Sequence, residues 1–306
     1  MISDKILEAF LFTFITQNEP IPNTIFPYTF IIERKTEGKE EIIMAGIFKR
    51  VEKKYLLTEE QSRQFIEMLG DRIVDDRYTD YTICKIYFDT DNNDLIRRSL
   101  EKPLYKEKFR VRCYGVPGED TMIFLELKKK WQGVVYKRRV EMPAHVAFDY
   151  LLKGIYPSEY DCQILKEIDY TLKHYELKPA VFLAYDRMAY AVKDMPEIRF
   201  TLDSNIRSRK KDLDMRHGDE GRSLYEEDMK LLEIKAPDAL PIWFVDIMAK
   251  LGIFSTSFSK YGRVYQSRLK DELDAAAAAD GEYAKRYTMQ QLEYLMSHTD
   301  RAVAAV

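Results

Sequence analysis

The chain has 306 residues, 46% of them hydrophobic, and sets 48 lysines and arginines against 51 aspartates and glutamates for a formal charge of −3. That composition supports a sizeable core in one large domain or two ordinary ones, and argues against a protein basic all over, as a nonspecific nucleic-acid binder would be. Three separated cysteines without a CxxC pair argue against a zinc or disulfide framework and fit a cytosolic setting, and four scattered histidines offer neither a metal cluster nor a histidine-centred triad.

Residues 1–43 show no persistent strand or helix pattern: Pro20, Pro22 and Pro27 precede a charged run from Glu33 to Glu41. They are expected to form a poorly ordered extension. Met44 is a candidate translation start, because Glu37-Gly38-Lys39-Glu40-Glu41 needs purine-rich codons of the kind a ribosome-binding site carries. The apolar stretch Ile6 to Ile15 is too short to span a bilayer, carries Glu8, and lacks the basic leader and cleavage site of a signal peptide. Any membrane attachment is therefore expected to go through a partner protein.

From Ile47 to Leu57 the sequence reads as a strand. Thr58 then caps a helix, with Gln61 completing a capping box and Phe65, Ile66 and Leu69 on one face, ending near Gly70. A strand is predicted over Thr82–Asp89. The acidic run after it fails as a calcium loop, since Asp94 stands where the turn glycine belongs and Leu100 where the bidentate glutamate belongs. A meander follows, with strands over Lys106–Tyr114, Thr121–Lys130 and Val134–Met142 joined at Pro117-Gly118 and Gln132-Gly133. Helices are predicted over Ala144–Lys153 and Glu159–Glu176. Strands resume over Ala180–Val192, Glu197–Arg207 and Met229–Lys235. Helices over Pro241–Leu251 and Ser259–Leu273 follow, and then a weakly packed helical tail over 271–306. This order gives an α+β fold around an antiparallel sheet, expected to close into a barrel over 44–270 with the helices packed outside.

The strands carry the chemical signal. Lys106, Lys108, Arg110 and Arg112 share one strand face, opposite Phe109, Val111 and Cys113. Glu52 shares a face with Lys54, Glu126 with Lys128, and Glu233 with Lys235. A single charged face is most simply a solvated one. Several of them on adjacent strands would set like charges opposite each other, which is destabilising. If the helices cover the apolar faces, the charged faces point inward, and a slender polyanion such as a phosphate chain is the ligand they suit. Lysine and arginine would bind its oxygens, and the carboxylates would hold a divalent ion.

The strings Arg50-Val51-Glu52-Lys53-Lys54-Tyr55, Ile86-Tyr87-Phe88-Asp89-Thr90, Lys108-Phe109-Arg110-Val111-Arg112-Cys113-Tyr114-Gly115, Leu125-Glu126-Leu127-Lys128, Leu232-Glu233-Ile234-Lys235 and Ser259-Lys260-Tyr261 occur in this order. Together they resemble the VTC (vacuolar transporter chaperone) domain, a branch of the triphosphate tunnel metalloenzymes, over Ile47 to Leu269. The resemblance implies a closed tunnel and, for catalytic members, a polyphosphate polymerase that moves the γ-phosphoryl group of ATP onto a growing chain with Mn2+ or Mg2+.

It further implies Lys54, Arg110, Arg112, Lys128 and Lys260 as catalytic residues, and Arg98, Lys137, Arg187, Arg199 and Ser259 as phosphate-binding ones. Glu233 is the implied metal ligand, with Glu52 and Glu126 as further candidates. Two departures stand out: Arg50 replaces the first glutamate of the superfamily's ExExK motif, and Ser257 stands where some catalytic members have a lysine. A non-catalytic polyphosphate sensor or scaffold, or a short-chain triphosphate hydrolase, would use the same tunnel. The expected partners are ATP and polyphosphate, with no nucleic acid and a cytoplasmic location. With so many cations in one lumen, repulsion is expected when it is empty, so that replacing Arg110 and Arg112 with alanine is expected to raise the melting temperature of the empty protein or leave it unchanged.

Overall fold

The computed structural model describes residues 28–36, 39–48, 51–76, 79–132, 134–225 and 228–279, with backbone only for 28–48 and 272–279. The strands are β1 (Tyr28–Thr36), β2 (Lys39–Phe48), β3 (Val51–Leu57), β4 (Ile73–Asp75), β5 (Tyr81–Asp89), β6 (Tyr105–Tyr114), β7 (Met122–Trp131), β8 (Val134–Pro143), β9 (Lys178–Val192), β10 (Met195–Arg209), β11 (Arg222–Ser223), β12 (Lys230–Ala236) and β13 (Ser255–Thr256). The helices are α1 (Glu59–Leu69), α2 (Asp94–Leu100), α3 (Ala144–Lys153), α4 (Gln163–His174), α5 (Ile242–Lys250) and α6 (Lys260–Ala279).

All the strands join one sheet, in the order β13-β3-β12-β10-β9-β5-β6-β7-β8-β1-β2, with β11 on β10 and β4 on β9. Neighbours are antiparallel except β1 and β8, which run parallel. Among the described residues no ladder joins the two ends of this path. The outer edge of β3 is paired with β13 and that of β8 with β1, so both edges are filled by other segments. The sheet nevertheless curls. Lys54 Nζ on β3 donates to the Phe258 carbonyl at 3.3 Å, and Lys108 Nζ on β6, well along the sheet, reaches Ser259 Oγ at 3.3 Å.

Helices α1, α3, α4 and α5 cover the outer face, as the apolar strand faces predict, whereas α6 enters the inner face instead of packing outside. One core packs α3 and α4, through Phe148, Ile164, Leu165 and Ile168, onto Phe109, Val111, Leu125 and Leu127. A second packs Phe65 of α1 and Phe244 of α5 onto Tyr55, Phe200 and Ile234, with the three phenylalanine rings edge to face at 5.6–6.1 Å. A third core lies on the inner face, where Tyr261 and Val264 of α6 meet Tyr87, Leu183, Tyr185 and Leu231. Tyr261 stacks on Tyr87 at 4.6 Å, and its hydroxyl donates to Asp89 at 2.9 Å. Asp89 also accepts the amides of Leu95 and Ile96, which fixes the start of α2 and ties it to α6.

The capping box is present: Gln61 N donates to Thr58 Oγ1 at 3.1 Å and Thr58 N to Gln61 Oε1 at 3.0 Å. Several details differ from the sequence reading, among them the short strands β4, β11 and β13 and the division of the strand expected over Ile47–Leu57 between β2 and β3. The expected extension carries the β1–β2 hairpin in its described part, so strand structure begins before Met44. The short helix α2 was not anticipated. Helix α4 begins at Gln163, where Cys162 Sγ accepts the Leu165 amide at 3.4 Å, and a 3-10 turn over Ser158–Tyr160 replaces its expected first turn. Helix α6 runs without a break through Ala275–Ala279, and residues 280–306 of the expected tail lie outside the described residues.

Candidate anion-binding site on the inner face

Strand register alone sets the first half of the site. Across β6, β7 and β8, Lys108, Lys128 and Lys137 stand directly opposite one another. The next inner row is Arg110, Glu126 and Arg139. Three lysines in one row repel, and the row beside it supplies the compensating charge. Glu126 is 1% exposed and draws in four cations. Arg110 Nε donates to its Oε2 at 2.7 Å, Arg139 Nε and Nη2 to its Oε1 at 2.9 and 2.5 Å, Lys137 Nζ lies 2.9 Å away and Arg112 Nη2 3.1 Å away. Burial would push the Glu126 carboxyl up, and these cations outweigh it and hold it well below the usual range.

The second half is built by β3, β12, β10, β9 and the start of α6. Lys54 faces Glu233 across the β3–β12 ladder and Glu52 faces Lys235. Lys54 Nζ lies 3.4 Å from Glu52 and 3.6 Å from Glu233. Lys260, capped into place by Ser259, whose Oγ accepts the Gly262 amide at 3.2 Å, sets its ammonium 2.5 Å from Asp203 and 3.4 Å from Glu233. Arg187 grips Asp203 with two hydrogen bonds, at 2.6 and 2.7 Å, and lies 3.7 Å from Glu233. Lys260 is held above its ordinary pKa by Asp203 and Glu233 despite its burial, and Glu233 is held well below its own, against burial, by Lys260, Lys54 and Arg187.

Lys85 links the two halves. It is 5% exposed, stands opposite Arg112 in the β5–β6 ladder and donates to the Tyr185 hydroxyl. Burial, with Arg110, Lys260, Arg187 and Arg112 around it, drives its ammonium well below the ordinary lysine range. Burial and neighbouring Lys106, Lys128, Lys54 and Arg110 likewise push Lys108 down to about 7. The inner face is thus richer in cations than its carboxylates balance.

Lys54, Arg110, Arg112, Lys128, Lys137, Arg187, Ser259, Lys260, Glu52, Glu126 and Glu233 all lie on this face. Two implied residues do not join them. Arg199 stands opposite Lys235 and its guanidinium reaches Asp76 at 3.5 Å, its side chain 51% exposed. Arg98 is exposed at the end of α2 beside Tyr175, whose hydroxyl donates to Glu107 on the outer face. Arg139, Lys85 and Asp203 were not anticipated as site residues. Strand parity could have found them, since Arg139 is two residues from Lys137 and Lys85 two from Tyr87. Arg110 and Arg112 both serve the buried Glu126, which would keep only Lys137 and Arg139 without them, and this opposes the expected relief on removing the pair.

The inner carboxylates differ in fitness for a metal. Among the described residues there is no group of three or more potential ligands. Glu126 does not fit, because both its oxygens are already engaged by cations. Asp203 is equally engaged. Among the described residues the nearest cations to Glu233 are Lys260 at 3.4 Å, Lys54 at 3.6 Å and Arg187 at 3.7 Å, and Glu52, with a side chain 38% exposed, shares Lys54 with it. One or two carboxylates completed by phosphate oxygens and water is a set that Mg2+ accepts, so Glu52 and Glu233 fit a divalent ion.

A curled sheet, with four helices on its outer face and lysine and arginine gathered on its inner one, defines a domain built around an internal cationic face. The chain belongs to the VTC domain family, whose model matches residues 49–268. It is 28% identical over 166 residues to the vacuolar transporter chaperone complex subunit 4 of Schizosaccharomyces pombe (strain 972), a match that covers 47% of this chain and 23% of that protein. Among solved structures, an adenylate cyclase candidate from Bacillus halodurans aligns over 69% of this chain and 95% of its own at 14% identity and TM-score 0.44. HpAC1 from Hippeastrum, an adenylyl cyclase candidate described as having a dominant triphosphatase activity, aligns over 69% and 93% at 13% identity and TM-score 0.42. The PH1819 protein of Pyrococcus horikoshii aligns over 72% and 99% at 14% and 0.37. Among the described residues no helix is long and apolar enough to cross a membrane.

Proposed function

We propose that this chain is a metal-dependent polyphosphate polymerase that transfers the γ-phosphoryl group of ATP to the end of a polyphosphate chain held in a tunnel formed by the curled sheet. The observation that carries this reading is the surplus of cations over carboxylates on the inner face, beside Glu52 and Glu233, whose nearest cations stand 3.4 Å or more away. The family membership and the name of the matched fission-yeast subunit support it.

Lys54, Lys108, Lys128 and Lys137 would bind the non-bridging oxygens of the triphosphate, and Arg110 and Arg112 would orient it. A terminal phosphate oxygen of the acceptor chain attacks the γ-phosphorus while the bond from that phosphorus to the β–γ bridging oxygen breaks, releasing ADP. The attacking oxygen is already ionised, so no histidine or serine base is required, and catalysis is positioning with charge stabilisation. A divalent ion on Glu52 and Glu233 would supply neutralisation of the charge on the β- and γ-phosphates. A cytoplasmic location and assembly with a membrane partner go with this reading.

The test is incubation with ATP and Mn2+, with products resolved on a gel. A ladder of chains is expected. Orthophosphate would make the protein a short-chain hydrolase, and no product with retained polyphosphate binding would make it a sensor or scaffold. Glu233→Gln, which keeps shape and removes charge, should abolish metal-dependent turnover in a folded protein. Retained activity with the same Mn2+ dependence would assign the ion to Glu52.

A further inference from the structure

Where α6 leaves the inner face it walls a separate cavity of about 310 Å3, lined by ten residues, of which five are lysine or arginine and none is acidic. Two serines of the sheet, Ser208 and Ser223, and Ser267 of α6 add hydroxyls to this lining. Lys260 and Arg268 lie on the same helix, so the cavity sits about 12 Å along α6 from the inner-face ammonium.

The cavity is framed by close packing of β11 on β10 and by a hydrogen-bonded loop. Strand β11 packs so closely on β10 that a Cβ at Gly221 would lie 2.8 Å from the Ser208 backbone, so only glycine fits there. Arg209 is committed to shaping the loop that follows. It donates to the carbonyls of Asp212, Asp214, Gly218 and Glu220 at 2.6–3.0 Å and lies over the Phe182 ring at 3.7 Å. That clasp fixes Lys210 and Lys211, both exposed, at the rim. Arg222 is positioned by Asp271 on α6, and Arg268 Nη2 reaches Ser208 Oγ at 3.5 Å. Four cations, Lys210, Lys211, Arg222 and Arg268, are thereby gathered around one hollow, with Asp271 bonded to Arg222 behind its lining, and their combined field favours a polyvalent anion. Guanidinium groups and hydroxyls match phosphate oxygens, and charge spread over both walls suits more than one phosphate.

We infer that the cavity between β10, β11 and α6 is a second anion site, distinct from the inner face, that takes a ligand with two or more linked phosphate groups. This site does not depend on the reaction assigned to the inner face. Its ligand has two possible sources, a free small phosphate anion or a stretch of a long chain that also occupies the inner face.

The test is hydrogen exchange on the full chain with pyrophosphate and, separately, with polyphosphate of tens of units. Protection is expected over Arg207–Ser223 and Val264–Asp271. Protection by pyrophosphate assigns the site to a free small anion, and protection by long chains alone assigns it to an extended polymer. Lys210→Glu/Lys211→Glu should raise the concentration for half-protection of these segments at least tenfold while leaving protection of β6 and β7 unchanged. The inference is overturned if neither anion protects these segments, if the double variant behaves as the parent, or if oligoglutamate protects them equally. Loss of protection on β6 and β7 alone would instead count against the reading of the inner face.

Discussion

Lys260 of α6 sets its ammonium 2.5 Å from the carboxylate of Asp203 on β10, and their side chains are 7% and 0% exposed. The pair locks the first turn of the last helix onto the sheet, with Arg187 holding the same carboxylate from β9. Removing one partner of a buried ion pair leaves a charge without compensation and costs about 3–5 kcal/mol. Asp203→Asn should therefore lower the melting temperature by about 10 °C, using about 2–4 °C per kcal/mol for a domain of this size. An unchanged melting temperature would show that the pair does not hold α6.

Glu126 gives the second prediction. Arg110→Ala/Arg112→Ala should destabilise the empty protein, because the carboxylate keeps only Lys137 and Arg139. The parent should gain about 2.7 kcal/mol from tripolyphosphate at a hundredfold excess over its dissociation constant. The double variant should lose most of that shift, since the two guanidinium groups are the inner face's forked donors on β6. Thermal unfolding with and without tripolyphosphate checks both. A variant that keeps its full shift would place anion binding away from these residues.

The pH dependence follows from Lys108, pushed down to about 7 by burial and by Lys106, Lys128, Lys54 and Arg110. In the unfolded chain an ordinary lysine titrates near 10.4. Between these values the unfolded state binds the extra proton, so this residue makes the empty protein more stable as pH rises from about 7 towards 10. Lys260, shifted upward, loses its contribution only above that window. A bound polyanion favours the charged lysine, so binding at pH 8 should take up protons. Calorimetric titration of tripolyphosphate in buffers of different ionisation enthalpy measures this directly, and an uptake of zero would contradict it.

A chain starting at Met44 should fold with an unchanged melting temperature. The β1–β8 pairing is a four-residue parallel contact at the sheet edge. A clear loss of stability would make the β1–β2 hairpin part of the domain.

Much of the inner face could be read from the sequence because strand parity is local. Lys106, Lys108, Arg110 and Arg112 alternate with apolar residues, and a strand buried on one face by helices must turn that alternation inward. The turns at Pro117-Gly118 and Gln132-Gly133 made β6, β7 and β8 neighbours, and the spacing of Glu126 from Lys128 placed both on one side. Only the tertiary structure decided which charges meet. Register put Arg139 and Arg110 on either side of Glu126 and converted an expected repulsion into a buried network. It also set Arg199 opposite Lys235, while its guanidinium pairs with Asp76. Asp203 and Lys260 are far apart in sequence, and nothing in either local pattern foretells a pairing that exists only because α6 enters the inner face beside Tyr87 and Tyr185. Local alternation fixes which side a residue faces, whereas long-range register and helix docking fix its partner, and it is the partner that sets a buried charge's protonation and its use.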